Sequence, residues 1–213
     1  MSVPTVSRIE ELISLIEEYR HGRDPYRRIL IAIAGPPGVG KTTLAGDLQQ
    51  GLAASETVSM DGFHLDNQLL EQQGLTKVKG APETFDVDGL SVLLQRIARD
   101  DGPIHIPVFD RDTDVSLAAA RTIRPDHRIV LVEGNYLLLN EGRWAGLGTL
   151  FDLGILMQVP RDVLERRLIS RWQAQNLDPM EARKRAQQND LPNGDRVLAG
   201  SRAPEVYFQP YPV

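Results

Sequence analysis

Gly35, Gly40, Lys41 and Thr42 follow the spacing G-x-x-x-x-G-K-[ST] inside the stretch AGPPGVGKTT. Glycines let consecutive backbone N–H groups face a single anion, the start of a following helix adds the positive end of its dipole, and Lys41 adds a point charge. Thr42 can then offer its hydroxyl to Mg²⁺. The run Gly35, Pro36, Pro37, Gly38, Val39, Gly40, Lys41, Thr42 and Thr43 is therefore expected to hold the phosphate chain of a nucleoside triphosphate.

Phosphoryl transfer from such a loop needs a carboxylate near the acceptor hydroxyl, another near the metal, and cations for the moving group. Asp61, in SMDGFHLDN, follows a short apolar run and is the candidate base, although an Asp-Gly turn would also account for it. Glu133 closes RIVLVEG and is the candidate metal-site carboxylate beside Thr42, with a solvated strand end as the alternative. In PRDVLERRLISRW, Leu164, Leu168 and Trp172 make an apolar helical stripe flanked by Arg167 and Arg171, which could neutralise the phosphoryl group together with Arg166 or Arg161. A solvent-facing charged surface is the alternative for each arginine. Asn189 and Asp190 could contact nucleotide, or form a polar turn before Pro192.

These residues can cooperate only if the chain brings them to one edge of a sheet. RRILIAIA is an unbroken aliphatic run, as a strand covered on both faces of a parallel sheet requires. LAGDLQQGLA reads as helix. TVSMD, RIVLVEG and LGILMQV are further short apolar runs with room between them for crossover helices, which predicts a layered α/β domain. Ile9, Leu12, Ile13 and Ile16 predict an amphipathic N-terminal helix. Asn193-Gly194 predicts a turn, and the tail YFQPYPV an irregular end.

The chain has 213 residues, a length suited to one domain, and a net charge of −5 that supplies no broad basic face for nucleic acid. With no cysteine, thiolate metal sites and cysteine nucleophiles are excluded. The first residues lack a basic start with an apolar core, and no apolar run approaches the roughly 20 residues needed to span a bilayer, so no membrane partner is expected and the cytoplasm is the default location. No asparagine is followed by lysine, which removes the guanine-reading segment of common GTPases. Oligomeric state is left open, a homodimer included.

Taken in order, GPPGVGKT, SMDGFH, KGAPETFD, IPVFDRDTD and VLVEGNY resemble the phosphoribulokinase/uridine kinase family over roughly residues 28 to 175, and the first half resembles bacterial type I pantothenate kinases. The resemblance implies a three-layer P-loop fold with a central five-stranded parallel sheet and a small helical lid, about 161–195. It further implies ATP and Mg²⁺ as cosubstrates, a base at Asp61, a metal-site carboxylate at Glu133, and lid arginines at Arg167 and Arg171. By the same resemblance Phe85, Asp86, Asp110 and Arg111 line the acceptor pocket, and His64 could reach it. The C-terminal QQNDLPNGDRVLAGSRAPEVYF resembles bacterial kinases assigned to fructose or other sugar transport systems.

Two classes stay open: an enzyme moving the γ-phosphoryl of ATP to a hydroxyl of a small polar metabolite, and a nucleotide-binding regulator with little transfer. A hydrolase coupled to a protein partner is a third.

Overall fold

The computed structural model describes residues 3–210. In chain order the elements are β1 (Thr5–Val6), α1 (Ile9–Arg20), β2 (Ile29–Ala34), α2 (Lys41–Gly51), β3 (Ser55–Ser59), α3 (Asn67–Gln72), α4 (Val87–Arg99), β4 (Ile104–Asp110), β5 (Val115–Ile123), β6 (Ile129–Gly134), β7 (Leu153–Met157), α5 (Arg161–Ala174), α6 (Pro179–Arg185), α7 (Leu191–Gly200) and β8 (Val206–Phe208).

The main sheet has the order β1-β8-β7-β2-β6-β3, with every neighbouring pair parallel. Strands β8, β7, β2, β6 and β3 form the expected parallel sheet, and the two-residue β1 extends it at one edge. The aliphatic run of β2 is buried on both faces. Ile29, Ile31 and Ile33 meet Leu12 and Ile16 of α1, Leu44 and Leu48 of α2, and Leu164 and Leu168 of α5. Leu30, Ala32 and Ala34 face the other way, into a core with Leu90, Leu94 and Ile97 of α4 and Trp144. Helices thus cover both sheet faces, and each fully buried isoleucine contributes about 1.5–3 kcal/mol. Because the strands are parallel, the chain leaves β2, β3 and β6 at one common edge, where ligands of open α/β sheets bind.

Two features depart from the sequence reading and one adds to it. The segment IPVFDRDTD belongs to an antiparallel hairpin of β4 and β5, with a bulge between Ile106 and Val108. Asn193 and Gly194 lie inside α7, both buried, rather than in a turn. The physical reason is packing, since a Cβ on Gly194 would sit 3.2 Å from Pro36 Cβ, so the glycine lets the helix close on the phosphate loop. Tyr207 and Phe208 of the tail are in β8, while the tail's last residues, 211–213, lie outside the described residues. Among the described residues no helix is long and apolar enough to cross a membrane.

Candidate active site

The phosphate loop connects β2 to α2, and Gly40, at φ +104°, takes the left-handed conformation that starts the helix at Lys41. In front of it lies a cleft of about 1200 Å³. Pro37, Gly38, Gly40, Lys41, Thr42 and Thr43 line this cleft together with Asp61, His64, Phe85, Arg111, Glu133, Arg167 and Arg171. Gly35, Pro36 and Val39 shape the loop from behind. A Cβ on Gly35 would lie 2.9 Å from the Met157 carbonyl, Val39 is buried in the core, and the Pro36 carbonyl accepts from Lys41 Nζ at 2.9 Å.

Asp61 sits on a single 3₁₀ turn, Met60–Phe63, directly after β3. Ser59, the last residue of β3, caps that turn through its hydroxyl, which accepts the Asp61 N–H at 3.2 Å. The same hydroxyl donates to Glu133 Oε1 at 2.5 Å, because Ser59 and Glu133 are register partners in the parallel pair β3–β6. Arg111 Nη2 reaches in from the opposite wall and donates to Asp61 Oδ2 at 2.6 Å.

Burial dominates the electrostatics. It lowers the Lys41 pKa to about 8, against the opposing pull of Glu133 and Asp61. It also raises the Glu133 carboxyl, helped by Asp61 and resisted by Lys41 and the Ser59 hydrogen bond. Desolvation lowers Arg171, with the charge of Arg111 adding to it. Like charges and low dielectric at one site are the usual marks of a functional cleft.

Several nominated residues do other work. The Asp86 carboxylate accepts from the Gly89 N–H at 2.9 Å and caps α4 instead of facing the cleft. Asp110 accepts from Asp112 N, Thr113 N and Thr113 Oγ1, folding the hairpin tip on itself. Both contacts share a cause, because a short Asp side chain readily satisfies nearby backbone donors. Arg167 Nη1 donates to the carbonyls of Val39 at 2.9 Å and Gly38 at 3.4 Å, so it lies along the phosphate loop. Arg166 pairs with Asp162 and Arg161 with Asp195, both away from the cleft. Asp190 is buried at the end of a π-helical turn, Ala186–Asp190, and accepts from Trp172 Nε1 at 2.5 Å. Asn189 donates to the Lys79 carbonyl at 3.2 Å.

The far end of the cleft is aromatic. His64 lies between Phe85, at 4.1 Å, and Phe109, at 4.6 Å between ring centroids, and burial lowers its pKa. Phe85 in turn meets Tyr136 and Trp144 edge-on. Sequence reasoning did not find Ser59, Asn67, Lys79, Asp114, Asn135 or Arg185, all of them at or beside the cleft. Ser59 and Asn67 fall within SMDGFHLDN, Lys79 within KGAPETFD, Asp114 within IPVFDRDTD and Asn135 within VLVEGNY, and those segments were the available signal. Lys79 Nζ donates to Asn67 Oδ1 at 2.7 Å and Asp114 Oδ2 at 2.8 Å, tying α3 to the hairpin tip. Arg171 and Arg185 both lie over the Trp172 ring, at 5.4 and 4.4 Å.

A second cavity, about 520 Å³, opens on the other side of the phosphate loop. Val39, Met157, Phe208 and Pro210 give it apolar walls, Thr43, Asp47 and Arg167 a polar rim, and Ser7 to Glu10 at the start of α1 close it.

No protein-family model matches the chain. The chain is 36% identical over 185 residues to the uncharacterized protein YggC of Escherichia coli (strain K12), covering 84% of this chain and 76% of that one. It is 30% identical to a Schizosaccharomyces pombe (strain 972 / ATCC 24843) protein named "Putative uridine kinase C227.14", over 98% of this chain and 93% of the other. A crystal structure described as "putative fructose transport system kinase from Silicibacter sp. TM1040" superposes with a TM-score of 0.89 at 38% identity, over 94% of this chain and 98% of that one. With a phosphate loop, a strand-end aspartate and a strand-end glutamate at one sheet edge, and with relatives of this similarity over nearly its whole length, the chain belongs to the phosphoribulokinase/uridine kinase family of P-loop kinases, phosphotransferases that act on alcohol groups.

Proposed function

We propose that the protein transfers the γ-phosphoryl group of ATP to a hydroxyl of a small polar metabolite of the sugar class, with Mg²⁺ as companion ion. The observation that carries this reading is the common cleft of Lys41, Asp61 and Glu133 in front of the phosphate loop. The 38% identity to a crystal structure described as a "putative fructose transport system kinase" favours a sugar over a nucleoside.

In this reading the loop amides and Lys41 cradle the β- and γ-phosphates, Lys41 leaving the Pro36 carbonyl to do so. Thr42 and Glu133 would hold the metal. One hydroxyl and one or two carboxylates suit an ion that takes its other ligands from phosphate and water. Bound there, Mg²⁺ would neutralise charge on the phosphate oxygens. Asp61 accepts the proton of the attacking hydroxyl, and Arg167 and Arg171 balance the charge of the moving phosphoryl group. The second cavity suits a flat base, its apolar walls offering stacking surface.

Asp61→Asn tests the reading. Phosphoryl transfer, followed as ADP release across a metabolite library with mass spectrometry of the product, should fall by about 10²–10⁴. ATP binding measured by calorimetry should persist. Undiminished transfer in this variant removes Asp61 as base, whereas nucleotide binding without turnover in the wild type favours the regulator.

A further inference from the structure

Arg111 and Asp61 make a closed pair. Among the described residues each is the other's only side-chain hydrogen-bond partner, over 2.6 Å. The aspartate side chain is 22% exposed and the arginine 46%, so the guanidinium reaches down from the cleft mouth.

The backbone under Arg111 is fixed while its side chain is not. Arg111 follows β4 at the hairpin tip, which Asp110 closes on itself through Thr113 and which Lys79 and Asn67 hold through Asp114. The hairpin also presses on the turn that carries Asp61. A Cβ on Gly62 would come within 2.9 Å of the Pro107 carbonyl, so only glycine lets the two elements approach this closely. Arg111 therefore has a set origin and a half-exposed arm that can exchange partners without moving the fold.

We propose that Arg111 is the acceptor-binding cation of this cleft, docked on Asp61 while the acceptor is absent. The acceptor is then a hydroxylated small molecule bearing a carboxylate or phosphate, which takes Arg111 over and frees Asp61. The inference rests on the kinase reading above and extends it to the substrate's charge. A neutral hydroxyl cannot replace a carboxylate on a guanidinium, because charge-assisted hydrogen bonds are roughly twice as strong as neutral ones. An anion exchanges one for one on the guanidinium, so Arg111 keeps a charged partner while Asp61 is released as a free carboxylate. Until that exchange the guanidinium holds one Asp61 oxygen, and the carboxylate is less available to a water molecule beside the γ-phosphate. The contact thereby couples ATP consumption to arrival of the right acceptor.

The test compares wild type, Arg111→Gln and Arg111→Lys. ADP release is measured with ATP alone and with the matched pairs glycerate and glycerol, and fructose 6-phosphate and fructose. ATP binding is measured separately by calorimetry. Arg111→Gln should raise acceptor-independent ADP release about tenfold, leave ATP affinity within about twofold of wild type, and erase the preference for the charged member of each pair. Addition of Asp61→Asn should abolish the gained hydrolysis, and Arg111→Lys should keep part of the preference. Glycerate against fructose 6-phosphate tells carboxylate from phosphate. Faster turnover of glycerol or fructose than of their charged partners overturns the proposal, as does unchanged hydrolysis in Arg111→Gln or a loss of ATP binding there. Those results would leave the kinase reading intact, whereas turnover insensitive to Asp61→Asn would sink that reading first.

Discussion

The Ser59 hydroxyl donates to Glu133 across paired positions of β3 and β6 while it holds the N–H of Asp61. One side chain thus sets the distance between the two candidate acids. Ser59→Ala should slow transfer about tenfold or more, the worth of a hydrogen bond to a charged group, and should raise the Mg²⁺ concentration needed for half-maximal rate. Ser59→Thr, which keeps the hydroxyl, should restore both. Equal rates in Ser59→Ala and wild type would show that strand pairing alone fixes the two acids.

Lys41 carries a pKa of about 8 against an ordinary 10.5. Between those values the unfolded chain holds a proton that the folded one lacks, so stability from this group rises with pH across the window and is lowest below it. A phosphate chain reverses the balance by favouring the ammonium. ATP binding near pH 9 should therefore take up a proton, read by calorimetry in buffers of different ionisation heat. Lys41→Met should remove the uptake.

Trp172 Nε1 is the donor for a buried carboxylate, since Asp190 is raised by burial and steadied by that bond. Trp172→Phe would strand the carboxylate at a cost of about 1–3 kcal/mol. Proteolysis should then cut faster within the 161–200 region, and turnover should fall more than ATP affinity. An unchanged digestion pattern would mean that the ring, rather than its N–H, holds the segment.

Arg28 has a fully buried side chain at the opposite end of the sheet. It donates to the carbonyls of His127 at 2.8 Å, Ile97 at 3.0 Å and Arg124 at 3.1 Å, and pairs with Asp100. Asp100 is partly exposed and keeps Arg128, but the carbonyls of His127, Ile97 and Arg124 would lose their donor. A buried acceptor left unsatisfied costs about 1–3 kcal/mol, so Arg28→Ala should lower the denaturant midpoint strongly. Activity per folded molecule should stay near wild type, because the residue lies far from the phosphate loop.

The phosphate loop was legible because its chemistry is local: a backbone turn, a helix start and a lysine need no distant partner. The strands Ile29–Ala34 and Ile129–Gly134 were legible because burial on both faces leaves continuous aliphatic runs. The hairpin was not. Val115–Ile123 is alanine-rich and largely exposed, so neither period nor burial marks it. Asp86 and Asp110 resemble substrate contacts in sequence, yet capping and turn formation claim them in the fold. Arg111 appears beside Asp61 only once that hairpin is in place. Ser59 opens the segment SMDGFH, yet its role was not legible there because it comes from register with Glu133, a pairing between distant strands.

The short strand Thr5–Val6 lies against Val206–Phe208. An unpaired strand flank is an open template for another chain, so these two residues act as a bumper on the last strand. Trimming the chain to residue 9 would strip it away, and the shortened protein should self-associate in light scattering at concentrations where the full chain does not. Affinity tags placed at the start should therefore be joined ahead of Thr5 with all of this strand retained.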